Sequence, residues 1–234
     1  MQLIRKLLIA GDPYKVVEED VRLDLHSPGR ANFTIASKPL PKGVHLVDFR
    51  IGYAKLDKMY HLFDGYVERT EPIDNRHLKV FCRERTAALR YPLPMNLRHV
   101  SLRDVLARVS KETGLVFSTQ EKEYATRKLP NVYNLGNGYQ LMDSLGKALA
   151  ISRYLWQQQS NGTVFVGSWN DSFWAEKSIQ IPAQILTEHR ANNIVRMMAI
   201  PALRPGVLAN ERFIHQLRFF GNEMEIQWTR QFEI

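Results

Sequence analysis

Residues 99–117 read HVSLRDVLARVSKETGLVF, and here the hydrophobic period of the chain changes. Leu102, Val105, Leu106 and Val109 recur at i, i+3, i+4 and i+7, one apolar stripe along a helix. Ser101 stands at the N-cap position, with Asp104 where a capping-box acid belongs. Gly114 stands where a left-handed residue ends a helix. Upstream, the period is two. In VRLDLHS (21–27) Val21, Leu23 and Leu25 face one way and Arg22, Asp24 and His26 the other, the alternation of a half-buried strand. ANFTIAS (31–37), VHLVDFRIGY (44–53), MYHLFDGYVER (59–69) and HLKVFCRER (77–85) read as four more strands. Ser27-Pro28-Gly29 and Pro39-Leu40-Pro41 are the stops, because proline cannot donate to a ladder and glycine accepts unusual dihedrals. Asp64-Gly65 reads as a turn or a bulge within its strand. Leu78, Val80 and Cys82 are expected to face inward.

Downstream, LVFS (115–118) is a strand and TQEKEYATRK (119–128) an exposed loop. A second helix runs through YQLMDSLGKALAIS (139–152), with Leu141, Leu145, Ala148 and Leu149 on one face. Asn161-Gly162, between RYLWQQQ and TVFVGSW, predicts a type I′ hairpin turn, in which both central residues take positive φ. From about residue 176 the strand signal returns in SIQIPAQIL, VRMMAI, ALRPGVLAN, ERFIHQLRFF and EMEIQWTR, punctuated by Pro205-Gly206 and Gly221-Asn222. The expected fold is mainly β with an α/β insert: a first small β-barrel over residues 1–97, a two-helix α/β module over 98–175 and a second small β-barrel over 176–234. Short strands at regular spacing, separated by turn residues, argue for such closed sheets.

The 234 residues are 44% hydrophobic and 24% charged, an ordinary globular composition that can bury a core. The net charge is +8 and the pI about 9.6, which suggests contact with something acidic. The cations are spread along the chain among acids, so a solvated basic surface is the plainer account. The opening MQLIRKLLIAGDP lacks the apolar length and cleavage pattern of a signal peptide, and no stretch approaches the roughly 20 apolar residues of a spanning helix. The expectation is a soluble protein made in the cytoplasm.

No residue stands out as catalytic, cofactor-binding or metal-ligating. Cys82, the one cysteine, sits among strand residues where a small buried hydrophobe is the default; Arg83, which would lower a thiol pKa, falls on the opposite face. The seven histidines (26, 45, 61, 77, 99, 189 and 215) show no metal-binding spacing. GNGYQL (136–141) begins like a dinucleotide fingerprint but lacks its third glycine, and reads better as a loop entering a helix. Glu18, Glu19 and Asp20 are adjacent, whereas carboxylates that divide acid and base roles must face each other across a bond. Tyr154, Trp156, Phe165, Trp169, Phe173, Trp174 and Trp228 could form a stacking platform for single-stranded nucleic acid; core and subunit interface is the favoured reading.

FDGYVER, the strand ending in CRERTAAL, and NLRHVSLRDVLARVSKETGL together resemble the phage tail baseplate hub family, the late control D-like tail proteins. Phe63, Gly65 and Val67 match a strand of the family's first barrel, and Ser101, Leu102, Asp104, Val105 and Leu106 match the helix that opens its α/β insert. QQQSNGTVFVGSW and ALRPGVLANERFIHQLRFFGNEMEIQW look like the closing hairpin and the second barrel. The resemblance implies a non-enzymatic virion component, assembled in the bacterial host cytoplasm. It implies a homotrimer whose six barrels form a pseudo-sixfold ring, joining the tail tube and distal tail proteins to a central spike or fibre, with DNA passing as cargo. Neither cofactor nor membrane insertion is implied. A different class, a nucleic-acid-binding module of small basic barrels, would instead show salt-sensitive binding to free DNA. A cell-wall hydrolase would need a catalytic pair, for which the sequence offers no candidate.

Overall fold

The computed structural model describes residues 2–36, 40, 43–175, 177–230 and 232, with His189 described by its backbone alone. Seven strands come first: β1 (Leu3–Ile9), β2 (Asp12–Tyr14), β3 (Val16–Asp24), β4 (Arg30–Ala36), β5 (Leu46–Tyr53), β6 (Lys58–Pro72) and β7 (His77–Glu84). The middle of the chain carries β8 (Met95–Val100), α1 (Leu102–Thr113), β9 (Phe117–Ser118), α2 (Glu123–Thr126), β10 (Leu129–Asn134), α3 (Gly138–Ala148), β11 (Tyr154–Gln158) and β12 (Val164–Ser168). Five strands close it: β13 (Leu186–Arg190), β14 (Ile194–Met198), β15 (Leu208–Ala209), β16 (Arg212–Phe220) and β17 (Glu223–Thr229). The architecture is mainly β with an α/β insert. The chain forms two compact units, Met1–Glu84 with Ser178–Gln231, and Arg85–Lys177 with Phe232–Ile234.

In the first unit the early and late strands form one sheet in the order β13-β14-β17-β16-β3-β4-β7-β6-β5-β1-β2, with β15 paired to β16. This corrects the expectation of two separately closed barrels. Gln216–Phe220 of β16 run antiparallel to Asp20–Asp24 of β3, with Phe219 opposite Val21 and Leu217 opposite Leu23. All four of those side chains are buried. The core is likewise shared: the Phe33 ring lies 4.9 Å from that of Phe49, and Phe49 lies 6.0 Å from Phe219. Alternation shows which face of a strand is buried but not which strand lies beside it, so the β3–β16 seam left no local trace.

Three further contacts tie early strands to late ones. Tyr53 Oη donates to Ala199 O at 2.7 Å, and Arg5 donates to Asn222 Oδ1 at 2.9 Å and to the Gly221 carbonyl. In the third, Arg204 donates to Glu84 Oε1 at 3.3 Å and to Leu62 O at 2.7 Å, while Gly29 N donates to Glu84 Oε2 at 2.6 Å. Both charged side chains are about 6% exposed. Burial pushes the Glu84 carboxyl above its usual range despite the Arg204 charge. Removing one member of such a pair is costly because the other remains buried and uncompensated.

Asp64-Gly65 is neither a turn nor the bulge: Asp64 pairs with Asp48 and Gly65 with Val47. The register shifts one step earlier, where Phe63 faces Phe49 and His61 faces Arg50, leaving Leu62 as the extra residue. That bulge lets both Leu62 and Phe63 point inward. Gly65 is required by crowding: a Cβ there would lie 2.0 Å from the Arg83 carbonyl oxygen on β7. The opening residues, read only as an unlikely signal peptide, are strand β1, with Leu3, Leu7 and Ile9 buried. Ala10 (φ 53) and Gly11 (φ 88) turn it into β2. Ser37, Pro39 and Pro41, read as a strand end and its stops, lie outside the described residues, as does Glu176.

The insert follows its sequence closely. Ser101 and Asp104 form the capping box, with Ser101 N donating to Asp104 Oδ2 at 2.8 Å, and Gly114 closes α1 at φ 73. α3 starts at Asn137, whose Oδ1 accepts from Gln140 N at 3.0 Å. Its buried face is Leu141, Met142, Leu145, Gly146 and Leu149; Ala148 is exposed, contrary to expectation. The expected loop 119–128 contains the short helix α2, with Ala125 buried. β11 and β12 form the hairpin, but only Gly162 takes positive φ (82), and Asn161 instead accepts from Thr163 N at 3.0 Å. The turn is therefore a longer one with a left-handed glycine after it, not type I′. α1 and α3 share one core with the β8–β10 ribbon and the β11-β12-β9 sheet, including Val105, Leu145, Trp156 and Val166.

Candidate assembly surface

The residues weighed for chemistry are occupied structurally. Cys82 on β7 is buried, and burial pushes its thiol pKa up, with the Glu68 charge adding to the effect. Glu19 is also buried; burial raises its carboxyl even though Arg5 donates to it at 2.7 Å. Its neighbour Asp20 is also raised by burial, but hydrogen bonds from Arg22 and Arg218 outweigh this and hold it down at about 2. Successive strand residues face opposite ways, so these two carboxylates do not converge on one bond. His77 lies beside Asp74, and the His26 and His215 rings approach to 5.3 Å. Among the described residues no three His, Cys, Asp or Glu gather as metal ligands would. GNGYQL is the capped start of α3.

The aromatics divide. Tyr154, Trp156, Phe165, Trp169 and Trp228 are buried, while Phe173 is exposed. Trp156 stacks on Tyr139 at 5.8 Å and donates from Nε1 to Asp143 at 2.7 Å. The five buried rings act as core anchors, whereas exposed Phe173 meets Trp174 edge-on at 5.0 Å.

What remains is surface. Across β3, β16, β17, β14 and β13 runs a lattice of ion pairs: Asp20 with Arg22 and Arg218 (both 2.9 Å), Glu225 with Arg190 (2.8 Å) and Arg196 (3.3 Å), and Arg190 with Glu188 (3.0 Å). Each pair alone is worth little in water, about 0–1 kcal/mol; the pattern fixes which surface can face it. The two ends of the sheet path discourage casual pairing. β2 has three residues, one of them Pro13, and β13 carries Glu188 and Arg190. Edge pairing as a general mode of contact is thus opposed at both ends. In the insert, the β8–β10 ribbon turns Val132 inward and Tyr133 and Leu135 outward, the latter two 62% and 71% exposed.

No family model matches the sequence. The chain is 32% identical over 226 residues to an uncharacterized 58.7 kDa protein in the lys 3′ region of Haemophilus phage HP1; the match covers 95% of this chain and 41% of that protein. The chain thus spans about two fifths of the length of this curated relative. Among solved structures it is similar to the 43 kDa tail protein of prophage MuSo2 from Shewanella oneidensis, with a TM-score of 0.72, 11% identity and 98% of both chains covered. The tail protein from Neisseria meningitidis MC58 gives a TM-score of 0.67 at 11% identity, over 97% of this chain and 96% of that one. An Escherichia coli component of the type VI secretion system, itself structurally similar to the T4 bacteriophage tail proteins gp27 and gp5, gives 0.62 at 13% identity, over 94% and 75%. The fold is the one these tail proteins share.

Proposed function

We propose that this chain is a structural, non-enzymatic part of a phage or prophage tail baseplate. Three copies form a hub with a pseudo-sixfold ring that joins the tail tube and distal tail proteins to a central spike or fibre. The observation that carries this reading is the fold correspondence with a phage tail protein along 98% of both chains, through both strand blocks and the insert. The sheet unit carries an early strand block (β1–β7) and a late one (β13–β17) joined at the β3–β16 seam; each block takes one ring position, hence six in a trimer. The ion-pair lattice suits a surface whose partner is chosen by charge pattern. DNA crosses the ring as cargo. The protein resides in the virion after assembly in the host cytoplasm.

The test is solution mass together with electron microscopy. The purified chain is expected near three times 27.2 kDa, with six-lobed rings in class averages. A single-chain mass at all concentrations, unchanged by adding tail-tube protein, would end this reading. Steeply salt-dependent binding of the isolated chain to free DNA would favour a nucleic-acid-binding module instead.

A further inference from the structure

Many arginines of the sheet unit are matched to carboxylates, Arg5 to Glu19, Arg190 to Glu188 and Glu225, and Arg218 to Asp20 among them. Arg212 and Arg230 have no such partner among the described residues. They lie at one end of neighbouring strands: Arg212 opens β16, Arg230 follows β17, and Asn193 precedes β14. The ladders bring these ends together, with Phe213 opposite Thr229 and Ile194 opposite Gln227. Asn193, Arg212, Trp228, Thr229 and Arg230 line a cleft of ≈ 400 Å³.

The cleft has a fixed floor. Trp228 is buried, and its backbone N–H donates to Asn193 O at 3.3 Å. The Arg212 guanidinium lies over the indole ring, 5.5 Å from its centroid. Stacking covers one face of the guanidinium and leaves its edge N–H groups available. Arg212 on its aromatic floor and Arg230 in the same cleft, neither matched to a carboxylate among the described residues, offer N–H groups suited to a planar oxyanion.

We infer that this cleft docks an acidic peptide segment of a partner protein, with an Asp or Glu carboxylate held between Arg212 and Arg230. The volume lies in the range of ligand clefts and exceeds what a lone inorganic ion fills. A nucleic-acid strand fits less well, because it needs a continuous basic track for successive phosphates. The surface of the same strands offers Asp20, Glu188, Glu223 and Glu225 against Arg22, Arg190, Arg196 and Arg218, which is electrically balanced. That the partner is a tail component rests on the proposed function; the recognition chemistry does not.

The experiment titrates the full chain with a capped peptide containing Asp-Glu-Asp and follows the Trp228 indole N–H resonance. An Asn-Gln-Asn peptide, inorganic phosphate and oligothymidylate serve as comparators. The acidic peptide is expected to bind and move the Trp228 signal, while the amide peptide does not. R212Q and R230Q are each expected to weaken binding about tenfold, with the melting temperature unchanged. If R212Q loses its fold, R230Q carries the test, since that side chain is exposed. Binding that survives the double substitution, equal binding of the amide peptide, or tighter binding of phosphate or oligothymidylate through the same arginines overturns the inference. A monomer that binds the peptide defeats the ring alone; a trimer that ignores it defeats this site alone.

Discussion

The insert and the sheet unit solve the same problem in opposite ways. The insert draws its core and helix ends from one stretch, Arg85–Lys177, with near neighbours supplying both. The sheet unit is built from two stretches, and its central seam pairs Asp20 with Phe220. Near neighbours in sequence can be matched by local rules. A partner about 200 residues away must be selected by the whole fold, at a larger cost in loop closure.

The largest expected effect follows directly. A fragment of residues 85–177 is expected to unfold cooperatively on its own, and a fragment of residues 1–84 is not, because the latter lacks Phe219, Arg204 and the β16 ladder. Urea melts of the two fragments check this; a cooperative transition in 1–84 would restore the idea of an independent first barrel. Single substitutions sharpen the contrast. Phe219→Ala removes a fully buried ring and is expected to cost about 3–5 kcal/mol. Arg204→Ala strands Glu84 and is expected to cost about 3–5 kcal/mol, with much of the loss recovered in an apolar double variant such as E84L/R204M. In the insert, Ser101→Ala removes a cap and costs only about 1 kcal/mol, leaving the sheet unit's transition unmoved.

The smallest effect is a pH dependence. Asp20 is held at about 2, below the ordinary carboxyl value of 3.8. A depressed native carboxyl stabilises the fold above its unfolded value, and the contribution is lost as pH falls from about 4 to 2. The Asp20→Asn variant is expected to be less stable than the parent at neutral pH by about 1 kcal/mol after allowance for solvent screening. The gap should close across that acid window in urea melts. A gap that stays constant down to pH 2 would remove the lattice's Arg218–Asp20 link from the sheet's stability.

Strands with clean alternation, such as β3 and β7, and the two ends of α1 can be read directly, because periodicity and capping are local. β1 has no clean strand signal because LIRKLLI alternates imperfectly. The β3–β16 seam, the shared aromatic core and the Glu84–Arg204 pair were invisible, since each joins residues more than 100 apart. Arg212, Arg230 and Trp228 carried only a faint signal: two basic residues beside an aromatic strand. Their convergence depends on the register of β16 with β17.

The seam also bears on how the chain is made. At about 5–20 residues per second, β3 leaves the ribosome roughly 10–40 s before β16 exists to cover it. Through that interval a nascent strand waits with a bare flank, the usual template for misassembly between polysomes. The stretch EEDVRLD on β3 sets four carboxylates against a single arginine, and that net negative charge gives the waiting flank a reason to repel its own copies until synthesis catches up.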